Sequence, residues 1–345
     1  MEKFRLVCGI DVSKKELAVA ILLEGDLVAH KTYSNNAKGL KALYQFLLSF
    51  ESDPNKILVC LEHTGVYSEK LILAYQHTGL FIWVVNGLIV KYFQVSFERL
   101  KTDKADAKKI ARFAFLMQAQ AQAYQPLGAL EAQIRDLFRL RKQLTKLRQQ
   151  TLNYAATNMD KAIPCMITKT VFAQVKAYFN GLIKEVENEL KALCKQDKKI
   201  KRVFQILCSI PGIGQVNAWQ LIFTTDNFKR FESYKKFAAY AGIAPFEQQS
   251  GSSLKRKPRV SKKAATQIKT NLTMGALRQT RKKMVFHQYY QYMLEHEKKH
   301  HLWILNSIRN IMVKLAFDLV KKDQLFELQK FLINKKSWAK CLTLS

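Results

Sequence analysis

The sequence predicts an α/β domain, a mixed sheet covered by helices, followed by a mostly helical remainder. Three observations carry this. Strand-like and helix-like segments alternate through about the first 125 residues, leucines recur at heptad spacing beyond Pro126, and helical segments around a Pro-Gly turn dominate from about Ile200.

Taken in order, residues 4–33 read as consecutive strands. Gly9, Gly25 and Asp26 punctuate them, and β-prone runs lie at Leu17–Leu23 and Leu27–Tyr33, so a meander is expected. Leu40, Leu43, Phe46 and Leu47 then fall at helical spacing within 37–50, and Ile57–Leu61 is a short apolar run of the buried-strand type. Val66–His77 reads as a helix, Phe81–Val85 as a strand, and Lys104–Met117 as a helix. Such alternation places functional groups at strand carboxyl ends and in the loops beyond them.

Past Pro126, Leu130, Leu137 and Leu144 occupy one heptad position, and Leu140, Leu147 and Tyr154 the one three residues later. Ile183, Val186, Leu190 and Leu193 repeat the spacing on a second helix, so a helical hairpin or coiled coil is expected to link two domains. Ser209-Ile210-Pro211-Gly212-Ile213-Gly214 opens the third region, which ends in a helical stretch near 302–322.

The chain has 345 residues, enough for two or three domains. With 57 Lys+Arg against 27 Asp+Glu, its net charge is +30, which points to a polyanion partner, nucleic acid first. An anionic membrane is the competing polyanion, but no uninterrupted apolar stretch of about 18 residues exists to span one. Met1-Glu2-Lys3 runs directly into a strand-like segment rather than a signal peptide. The six cysteines include no CxxC pair, so neither a zinc site nor a disulfide framework is suggested, and a reducing cytoplasm fits best. Residues 251–283 hold 11 Lys/Arg and no Asp/Glu, a one-sided density suited to phosphate contact.

Against this basic background, four acids stand out. Asp11 and Glu62 each end an apolar run, and Asp103 and Asp106 share a helix face at i, i+3. Any one of them could be a cap or a turn former. Together they suit a Mg²⁺-dependent phosphodiester enzyme, since hard cations take oxygen ligands and two metals about 4 Å apart can hold the attacking and leaving oxygens.

Other motifs admit two readings each. The Pro211-Gly212-Ile213-Gly214 turn resembles a helix-hairpin-helix, whose backbone N–H groups near Gly212 and Gly214 approach a phosphate; a plain tight turn is the alternative. Ser250-Gly251-Ser252-Ser253 reads by composition as a flexible loop, followed by the basic run Lys255, Arg256, Lys257, Arg259, Lys262 and Lys263. A serine hydroxyl needs activation to act as a nucleophile, which adjacent cations or metal ions could supply. His63 follows Glu62 directly, whereas His296, His300 and His301 lie in a charged stretch and read as solvated. Aromatics interleaved with Lys in 284–303 read as core at helical spacing.

The blocks Gly9-Ile10-Asp11-Val12-Ser13-Lys14, Leu61-Glu62-His63-Thr64-Gly65-Val66-Tyr67 and Lys101-Thr102-Asp103-Lys104-Ala105-Asp106-Ala107 closely resemble the DEDD transposases of insertion-sequence family one-ten, relatives of the Piv DNA invertase. Ser209–Gly214, Phe237–Pro245 and Ser250–Ser253 extend the resemblance, in order, over nearly the whole chain. It implies a RuvC-like domain of ribonuclease H fold (residues 1–125), a coiled-coil linker (126–199) and a C-terminal transposase domain (200–345). It further implies Asp11, Glu62, Asp103 and Asp106 as a Mg²⁺-binding tetrad. Ser250 would be a nucleophile that leaves a phosphoserine link to DNA, later resolved by a free 3′-hydroxyl.

A structured bridge RNA would pair with donor and target DNA, and the enzyme would work in the cytoplasm, on the nucleoid, as a homo-oligomer (dimer or tetramer) with composite active sites. Covalent catalysis conserves phosphodiester energy for rejoining, and sequence choice can be delegated to base pairing. An unguided site-specific invertase, or a catalytically silent nucleic-acid-binding protein, are the rival readings. Departures from the family pattern are Gly87 after Asn86 where proline is common, Arg256 and Ala264 at positions usual for glycine, and Lys269-Thr270 in place of an arginine pair; none of these is expected to touch the tetrad or Ser250. Lys lacks the bidentate fork of Arg.

Overall fold

The computed structural model describes residues 4–62, 65–93, 103–126, 128–163, 165–250, 254–260 and 266–333. The chain divides into two compact units, residues 1–126 and 127–345.

The first unit is built on a five-stranded sheet. β1 (Leu6–Val12), β2 (Glu16–Leu23) and β3 (Asp26–Ser34) form the expected meander, and β4 (Ile57–Glu62) and β5 (Phe81–Val85) extend it in the order β3-β2-β1-β4-β5. β1 pairs antiparallel with β2 and parallel with β4, and β4 pairs parallel with β5, the mixture and order of the ribonuclease H fold. Gly25, with φ at +99°, turns the β2–β3 corner in a backbone region that other residues rarely adopt. α1 (Ala37–Leu48) begins where Asn36 accepts a hydrogen bond from the Gly39 amide. α2 (Val66–Tyr75), α3 (Gly87–Tyr92) and α4 (Asp103–Leu116) follow, α3 being an element that the hydrophobic pattern did not announce.

Strand alternation gives this sheet two cores. Leu6, Cys8 and Ile10 face α1 and α2 with Leu43, Leu47, Leu71 and Tyr75, while Val7, Leu58 and Cys60 face α4 through Ala107, Ile110, Ala111 and Ala114. Each fully buried Leu or Ile stabilises the unit by roughly 1.5–3 kcal/mol. Burial also pushes the Cys8 and Cys60 thiols up, so both are inert core side chains.

The second unit starts with two 31-residue helices, α5 (Ala129–Met159) and α6 (Met166–Gln196), packed as an antiparallel hairpin. Leu130, Leu137 and Leu144 face inward as expected, and Ile183, Leu190 and Leu193 are buried. The second heptad row is different: Leu140, Leu147 and Tyr154 are 47%, 38% and 63% exposed. Contact with α6 instead runs through Arg141, whose Nε donates to Glu187 (2.7 Å), and Arg148, whose Nη1 donates to Asn180 (2.7 Å), while Ile134 is buried in the core. Toward its outer end the face of α5 that meets α6 is therefore polar, at Arg141 and Arg148.

α7 (Lys198–Ser209), α8 (Gln215–Thr225), α9 (Tyr234–Tyr240), α10 (Thr266–Gln279), α11 (His287–Glu295), α12 (His301–Lys322) and α13 (Leu328–Ile333) complete the unit. Asp197 caps α7 through the Lys199 and Ile200 amides. Trp219, Phe237, Phe286 and Ile308 fill the centre. Among these helices lies a two-stranded antiparallel hairpin, β6 (Pro245–Ser250) with β7 (Leu254–Val260).

Candidate active site

In the first unit, backbone geometry brings the acids together. The parallel register pairs Ile10 with Leu61, so Asp11 and Glu62 emerge side by side at the carboxyl ends of neighbouring strands. Alternation puts both on the α4 side, with Val7, Gly9, Leu58 and Cys60. Gly9 sets how close α4 comes. A Cβ there would lie 2.2 Å from the Ala111 amide nitrogen and 2.5 Å from the Ala107 carbonyl oxygen. With glycine in the strand and alanines on the helix, backbone packs on backbone, and Asp106 arrives one residue before that contact.

Electrostatics record the approach. The Glu62 carboxyl is held above its ordinary pKa, chiefly by burial and then by the negative charges of Asp11 and Asp106. Lys109 partly answers this repulsion with a 3.2 Å ion pair to Asp106. Asp103 opens α4; its side chain, and all of His63 and Thr102, lie outside the described residues. Among the described residues, no three His, Cys, Asp or Glu side chains are gathered closely enough to hold an ion as they stand. Their chemistry nevertheless fits a hard divalent cation, because oxygen-only donors that repel one another favour one.

Gly87, the departure from the family pattern at the start of α3, does touch this site, contrary to expectation. Its backbone lies against Glu62: a Cβ at Gly87 would come within 2.4 Å of Glu62 Oε2. Sequence reasoning missed the contact because it spans two loops, although the position, just beyond a strand neighbouring that of Glu62, was readable.

In the second unit, Ser250 is the last residue of β6 and pairs with Leu254 across the hairpin end. It therefore terminates a strand rather than lying in a free loop. Lys255, Arg256, Lys257 and Arg259 lie along β7, whereas Gly251, Ser252, Ser253, Lys262, Lys263 and Ala264 fall outside the described residues. The Pro211–Gly214 turn does join two helices. Gly212 takes φ +89°, Ile210 and Ile213 are each 2% exposed and pin the turn, and Gly214 precedes α8 without a side-chain cap. α10 seats directly on it, since a Cβ on Gly275 would strike the Gly212 carbonyl oxygen at 2.1 Å. A cleft of about 540 Å³ opens beside the turn, lined by Pro211, Gly212, Asn217, Arg141, Arg278 and Met284 among others. Uncapped amides and two arginines suit an anion.

Known proteins resemble most of this chain. Residues 8–164 match a family model described as a DEDD transposase, and residues 204–291 match one described as the transposase family IS116/IS110/IS902. The chain is similar to the pilin gene-inverting protein of Moraxella bovis, 23% identical over 330 residues that cover 92% of this chain and 97% of that one. The pilin gene-inverting protein of Moraxella lacunata matches at the same identity and coverage. Among solved structures, Thermus thermophilus RuvC in complex with a Holliday junction substrate aligns over 34% of this chain and 99% of its own, at 13% identity and a TM-score of 0.28.

Proposed function

The chain belongs to the IS116/IS110/IS902 transposase family, a family of DNA recombination enzymes, and from that membership we propose that it is a Mg²⁺-dependent, RNA-guided DNA recombinase using a serine nucleophile. The observation that carries the reading is the convergence of Asp11, Glu62 and Asp106 around one corner of the sheet in a chain of net charge +30.

In this reading Asp11, Glu62, Asp103 and Asp106 would hold the metal, which when bound neutralises charge on the phosphoryl group undergoing transfer. Ser250 attacks a DNA phosphodiester: its oxygen bonds to phosphorus, its proton leaves to solvent or a nearby base, and a 3′-hydroxyl departs. Attack by a free 3′-hydroxyl on the phosphoserine link reverses the exchange and restores a phosphodiester without ATP. The hairpin geometry supports this role, because a serine at a strand end is held at a defined position by backbone pairing. Lys255, Arg256, Lys257, Arg259, Lys262 and Lys263, with the amides around Gly212 and Gly214, hold nucleic-acid backbones, and base pairing to a bridge RNA chooses the sequence. A homo-oligomer, dimer or tetramer, would bring serine and carboxylates together across protomers.

The test uses purified protein with its bound RNA and a supercoiled donor plasmid. Ser250→Ala is expected to remove the covalent protein–DNA adduct while RNA binding remains. An adduct that persists in the variant removes Ser250 from the chemistry, and cleavage that survives EDTA removes the metal. A second reading, site-specific inversion without a guide, is favoured by the similarity to proteins named as pilin gene inverters. Sequencing co-purified RNA separates the two: a discrete structured species supports guidance, and strand exchange by RNA-free protein supports the unguided enzyme.

A further inference from the structure

The C-terminal unit buries a guanidinium with no counter-ion among the described residues. Arg309 lies within the apolar stripe of α12 with Ile304, Leu305, Ile308, Met312 and Val313, and is 7% exposed. Its Nη1 donates to Thr273 Oγ1 (2.8 Å) and its Nη2 to Asn306 Oδ1 (2.9 Å), while its Nε is buried without a partner. Thr273 Oγ1 in turn donates to the Lys269 carbonyl oxygen (2.6 Å), which ties Arg309 to the α10 turn that carries Lys269.

The charge of Arg309 is felt at Lys269. Burial, then the charge of Arg309, lowers the pKa of Lys269, and burial lowers that of Arg309. Neither makes an ion pair among the described residues. Segments 251–253, 261–265 and 334–345 of this unit contain no Asp or Glu, and Glu247 in β6 is the one acid of this unit whose side chain lies outside the described residues. Burying an uncompensated cation costs several kcal/mol, and such a group persists where a ligand brings the missing charge.

The surroundings narrow the ligand. Two adjacent cations exclude a cation, and an apolar molecule would leave them unpaired. Asn306 and Asn310 both donate through Nδ2 to the Ile243 carbonyl oxygen, at 2.9 and 3.0 Å, two residues before β6. Asn306, which accepts from Arg309, thus ties the guanidinium to the root of the hairpin, and Ser250 lies five residues beyond Pro245, roughly 16 Å along β6.

We propose that Lys269 and Arg309 form a binding site for one phosphodiester of a nucleic-acid strand, holding it at the root of the β6–β7 hairpin. That an anion binds there does not depend on the recombinase reading; that the anion belongs to a strand does. Asn306 and Asn310 act as positioning residues that keep hairpin and phosphate site in register.

The experiment compares the full-length wild type with Lys269→Gln, a partly exposed position expected to fold, and with Lys201→Gln, the same charge change at an exposed position of α7. Melting temperature is read in inorganic phosphate and in chloride at matched ionic strength. The phosphate-dependent rise is expected to fall by half or more in Lys269→Gln and to stay at the wild-type value in Lys201→Gln. Binding to a duplex DNA and to a structured RNA is then measured against salt. Loss of one phosphate contact flattens the log–log slope by about one, for whichever nucleic acid occupies the site.

A phosphate response in Lys269→Gln equal to wild type, or an equal loss in Lys201→Gln, overturns the site. A lost phosphate response with both salt slopes unchanged overturns the strand and leaves a site for free phosphate. Absence of strand transfer in the plasmid assay touches only the recombinase reading.

Discussion

The two units carry opposite electrostatic debts. In the first, Asp11, Glu62 and Asp106 crowd negative charge into a corner of a strongly basic chain; in the second, Lys269 and Arg309 hold positive charge where no acid of the described residues answers it. Rigid backbone sets the first, through a strand and a helix in direct contact at Gly9, while side-chain hydrogen bonds set the second, through Thr273 and Asn306. The difference teaches that like charges can be held together in two ways, and that each way has its own weakest point.

The largest effect is expected from Asp11→Asn, which keeps the shape of the acidic corner and removes charge. Strand cleavage should fall by about 10³-fold, on the scale of losing a preorganised charge partner in the transition state, with the melting curve little changed. A plasmid-nicking assay near wild-type rate would end the proposed role of this corner.

Next comes Gly9→Ala, which attacks the backbone contact itself. A methyl 2.2 Å from a backbone nitrogen forces α4 outward, and overpacking of this kind costs about 3 kcal/mol. Urea unfolding should show it, and a loss below about 1 kcal/mol would mean that α4 tolerates a looser seat. Gly87→Ala is milder, because the atoms it meets are the far end of the flexible Glu62 side chain. Calorimetric titration should show Mg²⁺ binding weakened about tenfold, as when a group that orients a metal ligand is altered. Unchanged affinity would show that Glu62 finds another rotamer.

Smallest is the stability effect of Glu62→Gln. Because the folded-state pKa of Glu62 is raised, the metal-free folded protein keeps a proton that the unfolded chain has released just above the ordinary Glu value of 4.5. Stability therefore falls as pH rises through that window, and the Gln variant should lose this part of the slope. The gain near neutral pH is expected to stay under about 1 kcal/mol, since solvent screens a half-exposed group. An identical pH dependence in both proteins would show that the acids do not press on one another.

Much of this was legible in the sequence because local patterns dominate it. The strands that carry Asp11 and Glu62 near their carboxyl ends, and the helix from Asp103, announce themselves by apolar runs and their punctuation. The β6–β7 hairpin did not. Leu254-Lys255-Arg256-Lys257-Pro258-Arg259-Val260 lacks alternation and contains a proline, features that argue against a strand, and only pairing with Pro245–Ser250 makes it one. The inward seam of α5 was misread in one row, because spacing alone does not tell which stripe a partner helix covers. Arg309 was overlooked although it left a trace: an arginine on the stripe of Ile304, Leu305, Ile308, Met312 and Val313 occupies a core position. The contact of Gly87 with Glu62 left only a positional hint, a glycine just beyond the strand next to that of Glu62, because it joins residues 25 apart in the sequence.

The seat of α4 on Gly9 also orders events in time. Asp11 and Glu62 enter the sheet with β1 and β4, but Asp103 and Asp106 are synthesised about forty residues after Glu62, a delay of seconds at about 5–20 residues per second. Until that helix leaves the ribosome and docks, the nascent chain carries only Asp11 and Glu62 of the four proposed ligands. The four acids proposed to act together are thus all present only once α4, the helix that packs on Gly9, has been made and has docked.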